Sequence, residues 1–290
     1  MSQKPDMRGL VYAVLSAMVA AIAPIATKQA LRTINLETFS LLWSLSAFIG
    51  ASTYALSRKG SNSFRRLGQC WQFVTAIGVL TAAIVLVFSM AVRLADPTLV
   101  SFFNRLEVVL TVLLGMLFFK ERLNRVELLG VTTTISGALI MTYRAGGIVL
   151  FAFLLALMNS LFISIRTLLG KVAVQYLEPA VLVAVSRLIA CLLTLLYAIT
   201  LGVLQLPSNT DLLIIIIGAL LGPFLGFTLL YKALSLSEVS RVSALRASLP
   251  FFVALYSFLL FRTIPSPRQM LGGGIIVAGI LVLVRGQRSG

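Results

Sequence analysis

The sequence predicts an all-α integral membrane protein of ten transmembrane helices, built as two inverted five-helix repeats. Three observations carry that expectation. The chain is 59% hydrophobic and 11% charged, against about 25% charged residues in soluble domains. So few polar side chains cannot clothe a water-facing surface, whereas lipid tails solvate apolar ones directly. The apolar residues also fall in ten continuous runs, most near the roughly 20 residues needed to cross about 30 Å of hydrocarbon. Finally, the chain repeats itself, with an odd number of runs in each repeat.

The ten runs lie between charged or Gly/Pro breaks. They are Gly9–Ala30, Thr38–Leu56, Phe73–Val92, Thr98–Phe119, Val126–Met141, Ile148–Leu169, Ala180–Leu201, Leu212–Tyr231, Val239–Phe261 and Gln269–Val284. Each must be helical, because an unpaired backbone group in lipid costs several kcal/mol. A β-barrel would show short alternating strands instead. The first run, with Gly9 to Thr27 at its heart, exceeds the h-region of a signal peptide. Its small-residue site, Ala21-Ile22-Ala23, is followed by Pro24, which disfavours cleavage. We read it as a retained first span.

Residues Ala91–Met141 fall on Ala233–Leu283 without a gap. Matches include Ser101 with Ser243, Leu117 with Leu259, Gly130 with Gly272 and Gly137 with Gly279; Asp96 meets Glu238, and Lys120 meets Arg262. One residue off that register, Lys28 meets Lys171 and Glu37 meets Glu178. Charges and glycines in register exceed what chance matching of apolar residues gives. The repeats are placed at 7–143 and 147–285. Five spans each make the second insert upside down relative to the first. The loops agree: Arg58, Lys59, Arg65 and Arg66 crowd the connection after the second run, whereas Gly202 to Asp211, after the seventh, has no Lys or Arg. Basic residues favour the cytoplasmic side. Both termini are therefore expected in the cytoplasm, leaving only Arg32, Arg93, Arg144, Arg262 and Arg268 outside. Inverted five-helix repeats are a transporter architecture, with the substrate site near the midplane.

The absence of histidine removes Ser-His nucleophilic catalysis and histidine proton relays, and argues against an intramembrane enzyme. Cys70 and Cys191 are far apart and show no framework spacing, so neither a disulfide scaffold nor a metal site is expected. No cofactor and no catalytic residues are expected. The net charge of +15 is read as cytoplasmic loops at a membrane, not as a nucleic-acid surface. No P-loop is present, so an ion gradient or substrate exchange would supply the energy.

Two blocks of residues bear a likeness to a known group. One is Arg105-Leu106-Glu107, followed by an apolar run ending in Phe119-Lys120-Glu121-Arg122-Leu123, then Leu129-Gly130 and Gly137. Its partner runs from Leu245-Arg246 through Pro250 to Leu271-Gly272 and Gly279. In these the chain resembles the ten-helix EamA-type transporters of the drug/metabolite transporter superfamily. The likeness covers nearly the whole chain, but its diffuse motifs point to a superfamily and not to a substrate. Two departures stand out. Val108 occupies a position where the family often has proline, which Pro250 retains in the second repeat, and Glu121 has Thr263 as its partner. The resemblance implies a cavity lined by spans one, three, four, six, eight and nine, with the seventh span peripheral.

A charge inside the bilayer costs at least 2.5–3.5 kcal/mol on insertion scales and usually faces a cavity. Lys28, Arg93, Arg166, Lys232 and Arg262 lie near predicted ends, from which they can snorkel to the interface. Pro24 opens the helix near Lys28, which could turn that side chain inward. Arg105, Arg187 and Arg246 fall deeper, roughly 10–12 Å in at 1.5 Å per residue. Glu107 lies near the middle of the fourth span; it is either a structural partner of an Arg or a substrate-amine or proton-coupling group. Asn104 falls on Arg246 in the repeat, so Arg105 and Arg246 are expected to flank the midplane from opposite sides. In the related plastid phosphate translocators, basic residues on these two helices hold a phosphate. That likeness implies an anionic or carboxylate-bearing substrate, which Arg recognises with a bidentate fork. Asn159, Ser160 and Ser164 form a polar stripe that either lines a cavity or bonds to a neighbouring helix.

The candidate substrate-binding set is therefore Asn104, Arg105, Glu107, Asn159, Ser160, Arg246 and Lys28. The expected function is secondary export or exchange of a small polar metabolite, anionic or amino-acid-like, by alternating access in the cell membrane. A lipid flippase and a non-transporting scaffold or receptor stay open as alternatives. The partners expected are a small-molecule metabolite and the lipid bilayer, with no nucleic acid, and a homodimer is kept open.

Overall fold

The computed structural model describes residues 7–59, 67–119, 124–142, 146–237 and 239–289, and every regular element among them is helical. The first span is α1 (Met7–Ala20) and α2 (Ile22–Ala30). The second and third are α3 (Leu36–Lys59) and α4 (Trp71–Leu94), and the fourth divides into α5 (Pro97–Phe103) and α6 (Leu106–Phe119). Then come α7 (Arg125–Thr142), α8 (Gly147–Ala173) and α9 (Pro179–Leu201). The eighth span joins α10 (Asn209–Ala219) to α11 (Phe227–Leu236) through a π-helical turn, Leu220–Gly226. The ninth divides into α12 (Val239–Arg246) and α13 (Leu249–Phe261), and α14 (Pro267–Ser289) is the tenth. Arg65, Arg66, the Lys120–Leu123 motif, Arg144 and Glu238 lie outside the described residues.

Nine helical assemblies among the described residues are long and apolar enough to cross a membrane. The remaining span is α7, whose first turn carries Arg125 and Glu127 and which packs along α14. Its Thr132, Thr133 and Thr134 hydroxyls donate to carbonyls one turn back, on Leu128, Leu129 and Gly130. Such internal bonding lets polar side chains sit at membrane depth. Large apolar side chains such as Leu196, Leu259, Leu260 and Leu271 are exposed, as a lipid-facing surface requires. The chain is an all-α integral membrane protein.

Small residues set the closest contact. A Cβ added at Gly130 would lie 2.4 Å from the Leu283 backbone nitrogen, and one at Gly279 would lie 2.6 Å from that of Thr134. At Gly137 the obstacle is the Gly272 carbonyl, 2.6 Å away. The glycines of the fifth and tenth spans thus serve close packing, as small residues do between membrane helices.

The contacts have an approximate two-fold character. α7 meets α14 and α3 meets α9, pairing the fifth span with the tenth and the second with the seventh. The third span meets the sixth through α4 and α8, and its counterpart is the first against the eighth, α1 and α11. Likewise α6 against α8 answers to α12 against α1. Exchanging the first five spans for the last five maps these pairs onto one another.

The helix breaks follow from proline. A proline ring clashes with the carbonyl four residues earlier and supplies no N–H to it. Pro24 stands four residues after Ala20, where α1 ends; Pro223 stands four after Ala219, where α10 gives way to the π turn; and Pro250 stands four after Arg246, where α12 ends. The fourth span breaks at the equivalent place, Asn104–Arg105, with no proline. There Arg105 N, Glu107 N and Val108 N turn to carbonyls three residues back, at 3.0, 3.2 and 3.1 Å.

Candidate functional site

The interrupted spans converge on a cavity of about 110 Å³ in the middle of the molecule. Its polar wall holds Asn104, Arg105, Glu107, Asn159, Arg166, Arg187 and Arg246, and its apolar wall includes Pro24, Trp43, Phe88, Pro223, Phe227 and Leu249. Four guanidiniums face one carboxylate. All five groups are at most 6% exposed except Arg246, at 7%.

Each is held from the backbone upward. Pro250 leaves the Arg246 carbonyl without its helical donor, and Arg105 Nη1 donates to that oxygen at 3.1 Å. The same nitrogen pairs with Glu107 Oε1 at 3.0 Å. Arg105 and Glu107 are therefore partners across the break of the fourth span, and Arg105 ties the first half to the second. Ser164 Oγ, from α8, donates to the Glu107 carbonyl at 2.7 Å. Ser160 Oγ reaches the Phe103 carbonyl at 3.5 Å, and Asn159 Nδ2 donates to Asn104 Oδ1 at 3.1 Å. The stripe on α8 thus braces the broken fourth span, and of its members only Asn159 also lines the cavity.

The other three guanidiniums gather around one ring. Arg166, Arg187 and Arg246 place their Cζ atoms 4.3, 5.4 and 5.9 Å from the centroid of Phe227. Phe227 is the first residue after the π turn, so Pro223 helps aim it into the cavity. A ring face attracts a cation, but one ring cannot neutralise three. Arg105 Nε, Arg187 Nη1 and Arg246 Nε are buried with no hydrogen-bond partner among the described residues. Buried donors are rarely left so. These unpaired donors come from three different spans, and their residues line one cavity.

Two expectations need correction. Arg166 does not snorkel to an interface: it is 3% exposed and lines the cavity, because α8 continues to Ala173 and carries it inward of the span's end. Arg187 is not peripheral: the seventh span packs against the third and eighth, and Arg187 turns into the cavity between them. Trp43 of the second span also lines it, so the wall draws on two more spans than the resemblance implies. A signal was present for Arg166, which follows Asn159 and Ile163 on one helical face, all three lining the cavity. For Arg187 the signal was its depth in the seventh run, which the expected periphery of that span outweighed; for Phe227 no local signal existed. Arg105 and Arg246 are in contact, Arg105 Nη1 donating to the Arg246 carbonyl.

Lys28 lies apart from the cavity lining. Its Nζ donates to the carbonyls of Val92, Arg93 and Ala95, at 2.9, 3.0 and 3.1 Å, capping the C-terminal end of α4. Its repeat partner Lys171 does the same for α11, through the Leu234 and Ser237 carbonyls.

The family profile of the EamA-like transporters matches residues 7–143 and again residues 150–285. The chain belongs to the EamA-like transporter family. Its arrangement fits the wider drug/metabolite transporter superfamily. An uncharacterized transporter from the cobO 3' region of Sinorhizobium sp is 28% identical over 131 residues, covering 45% of this chain and 93% of that relative. A solved crystal structure, described only as that of a protein, superimposes with a TM-score of 0.72 over 97% of this chain and 98% of its own, at 18% identity. That is a likeness of fold. This EamA-family protein is thus a multi-pass, transporter-like membrane protein.

Proposed function

We propose that this EamA-like protein is a secondary transporter of a small anionic or amino-acid-like metabolite, working by alternating access as an exporter or exchanger. The observation that carries the reading is the cavity between the halves, where unpaired guanidinium nitrogens from both halves face one space. A low-dielectric chamber with excess positive charge attracts anions and repels organic cations. Its volume suits a solute of a few carbons better than acyl chains, which is why metabolite transport is preferred to lipid flipping. Five spans per half give the halves opposite orientation, and rocking one against the other would expose the cavity to each side in turn.

Arg246 tests the substrate. Arg246→Gln should weaken binding of a carboxylated ligand by about tenfold or more, and Arg246→Lys by less, since Lys keeps the charge but loses the fork. Binding to purified protein in detergent, with matched anionic and cationic ligands, measures this. Tighter binding of cations, with no effect of Arg246→Gln, would defeat the anion reading.

The proposed setting is the cell membrane, with both termini cytoplasmic. Cys70 and Cys191 are buried, so replacing both by Ala gives a background for accessibility labelling. A cysteine placed at Ser208, in the segment without basic residues, should react with an impermeant maleimide in intact cells. Labelling only after permeabilisation would reverse the orientation.

A further inference from the structure

Resting on the anion reading above, the geometry points to a narrower substrate class: a compact dianion, with its two negative charges only a few bonds apart. Charge, donor placement and room each carry part of the argument.

The cavity holds four guanidiniums and one carboxylate, and the carboxylate is engaged with Arg105. Three positive charges are left without an anion on the wall, and all three stand within 5.9 Å of the Phe227 centroid. Like charges so close in a poorly screened space repel. A monoanion relieves one of the three and a zwitterion relieves none in sum, while a dianion leaves a single excess charge. The ammonium of a zwitterion would also meet a wall whose sole carboxylate is already taken.

Donor placement agrees. One carboxylate in bidentate geometry satisfies one guanidinium fork. Here the nitrogens without acceptors belong to Arg105, Arg187 and Arg246, on the fourth, seventh and ninth spans, and Arg166 adds a fourth guanidinium from the sixth. A single carboxylate cannot present a fork to each of these directions, whereas two anionic groups can divide them. Room sets the scale: an apolar cavity of 150 Å³ in another protein holds benzene, and this one measures about 110 Å³. The two charges must therefore lie only a few bonds apart, as in a four-carbon dicarboxylate or a small phosphate monoester.

Trp43 lines the cavity, whereas Trp71 is exposed at the start of α4, and these are the chain's two tryptophans. The variant Trp71→Phe makes Trp43 fluorescence a reporter of the site. Purified full-length protein would be titrated at neutral pH with succinate, methyl phosphate, butyrate, γ-aminobutyrate and tetraethylammonium. The proposal expects saturable binding of succinate or methyl phosphate at least tenfold tighter than butyrate or γ-aminobutyrate. Preference between the two dianions then tells a dicarboxylate site from a phosphate site. Arg187→Met should lower dianion affinity at least tenfold, bring it within threefold of butyrate, and leave the empty protein's melting temperature equal or higher, because it removes an unpaired buried charge. A structural role for Arg187 would lower the melting temperature instead. If Arg187→Met does not fold, Arg187→Gln carries the same comparison. Butyrate binding as tightly as succinate, or no saturable binding of either dianion at 10 mM, overturns the dianion assignment. If butyrate binding still depends on Arg246, the broader anion reading stands; preference for tetraethylammonium removes both.

Discussion

Glu107→Gln lowers the stability of the protein by about 3–5 kcal/mol, the cost of breaking a buried ion pair from one side. This is the expected result because Glu107 is the sole carboxylate on a wall with four guanidiniums and pairs with Arg105 at 3.0 Å. Neutralising it strands Arg105 and leaves four guanidiniums on the wall with no carboxylate among them. The double variant Arg105→Gln/Glu107→Gln should recover most of the loss, since removing both members of a buried pair is often close to neutral. A double-mutant cycle by thermal denaturation in detergent gives the coupling energy. If Glu107→Gln keeps full stability but loses gradient-driven uphill transport while retaining exchange, Glu107 works in proton coupling. A variant normal in both respects would remove both roles.

Gly130→Ala and Gly279→Ala are the second pair of large effects. Each new methyl would meet backbone, the Leu283 nitrogen at 2.4 Å and the Thr134 nitrogen at 2.6 Å, and backbone cannot rotate away as a side chain can. Overpacking typically costs about 1–3 kcal/mol, and these sites belong at or above the upper end, because α7 and α14 must separate along their length. Gly274→Ala is the internal control. It lies on α14 with nothing within 4 Å of its Cβ position, and Gly to Ala in an open helix position gains about 0.5–1 kcal/mol. Yield and melting temperature of the three variants should separate in that order. Equal behaviour would mean that the two helices do not pack through their glycines.

The fold class was legible in the sequence because the bilayer imposes a local rule. A run of apolar residues must be helical wherever it crosses lipid, and a run's length needs no knowledge of its neighbours. The breaks at Pro24, Pro223 and Pro250 were legible for the same reason, since a proline disturbs a carbonyl four residues away in its own helix. The deep Arg105, Glu107 and Arg246 announced themselves as charges in apolar runs. The site itself depended on which helices meet. Nothing within the fourth span shows that it breaks at Asn104 without a proline; the break is braced from α8 by Ser160 and Ser164, and by Arg105 reaching a carbonyl that Pro250 has freed in another span. Arg166 near the end of its run gives the same local signal whether it faces lipid headgroups or a cavity, and the depth of Arg187 marks a buried charge without saying what surrounds it. Only the packing of the third, sixth, seventh and eighth spans decides between those surroundings, and it brings both around Phe227. Sequence alone thus determined that the chain crosses the membrane and where proline interrupts its helices. Tertiary structure decided which charges share a space, because Coulomb energy depends on distances between residues far apart in the chain.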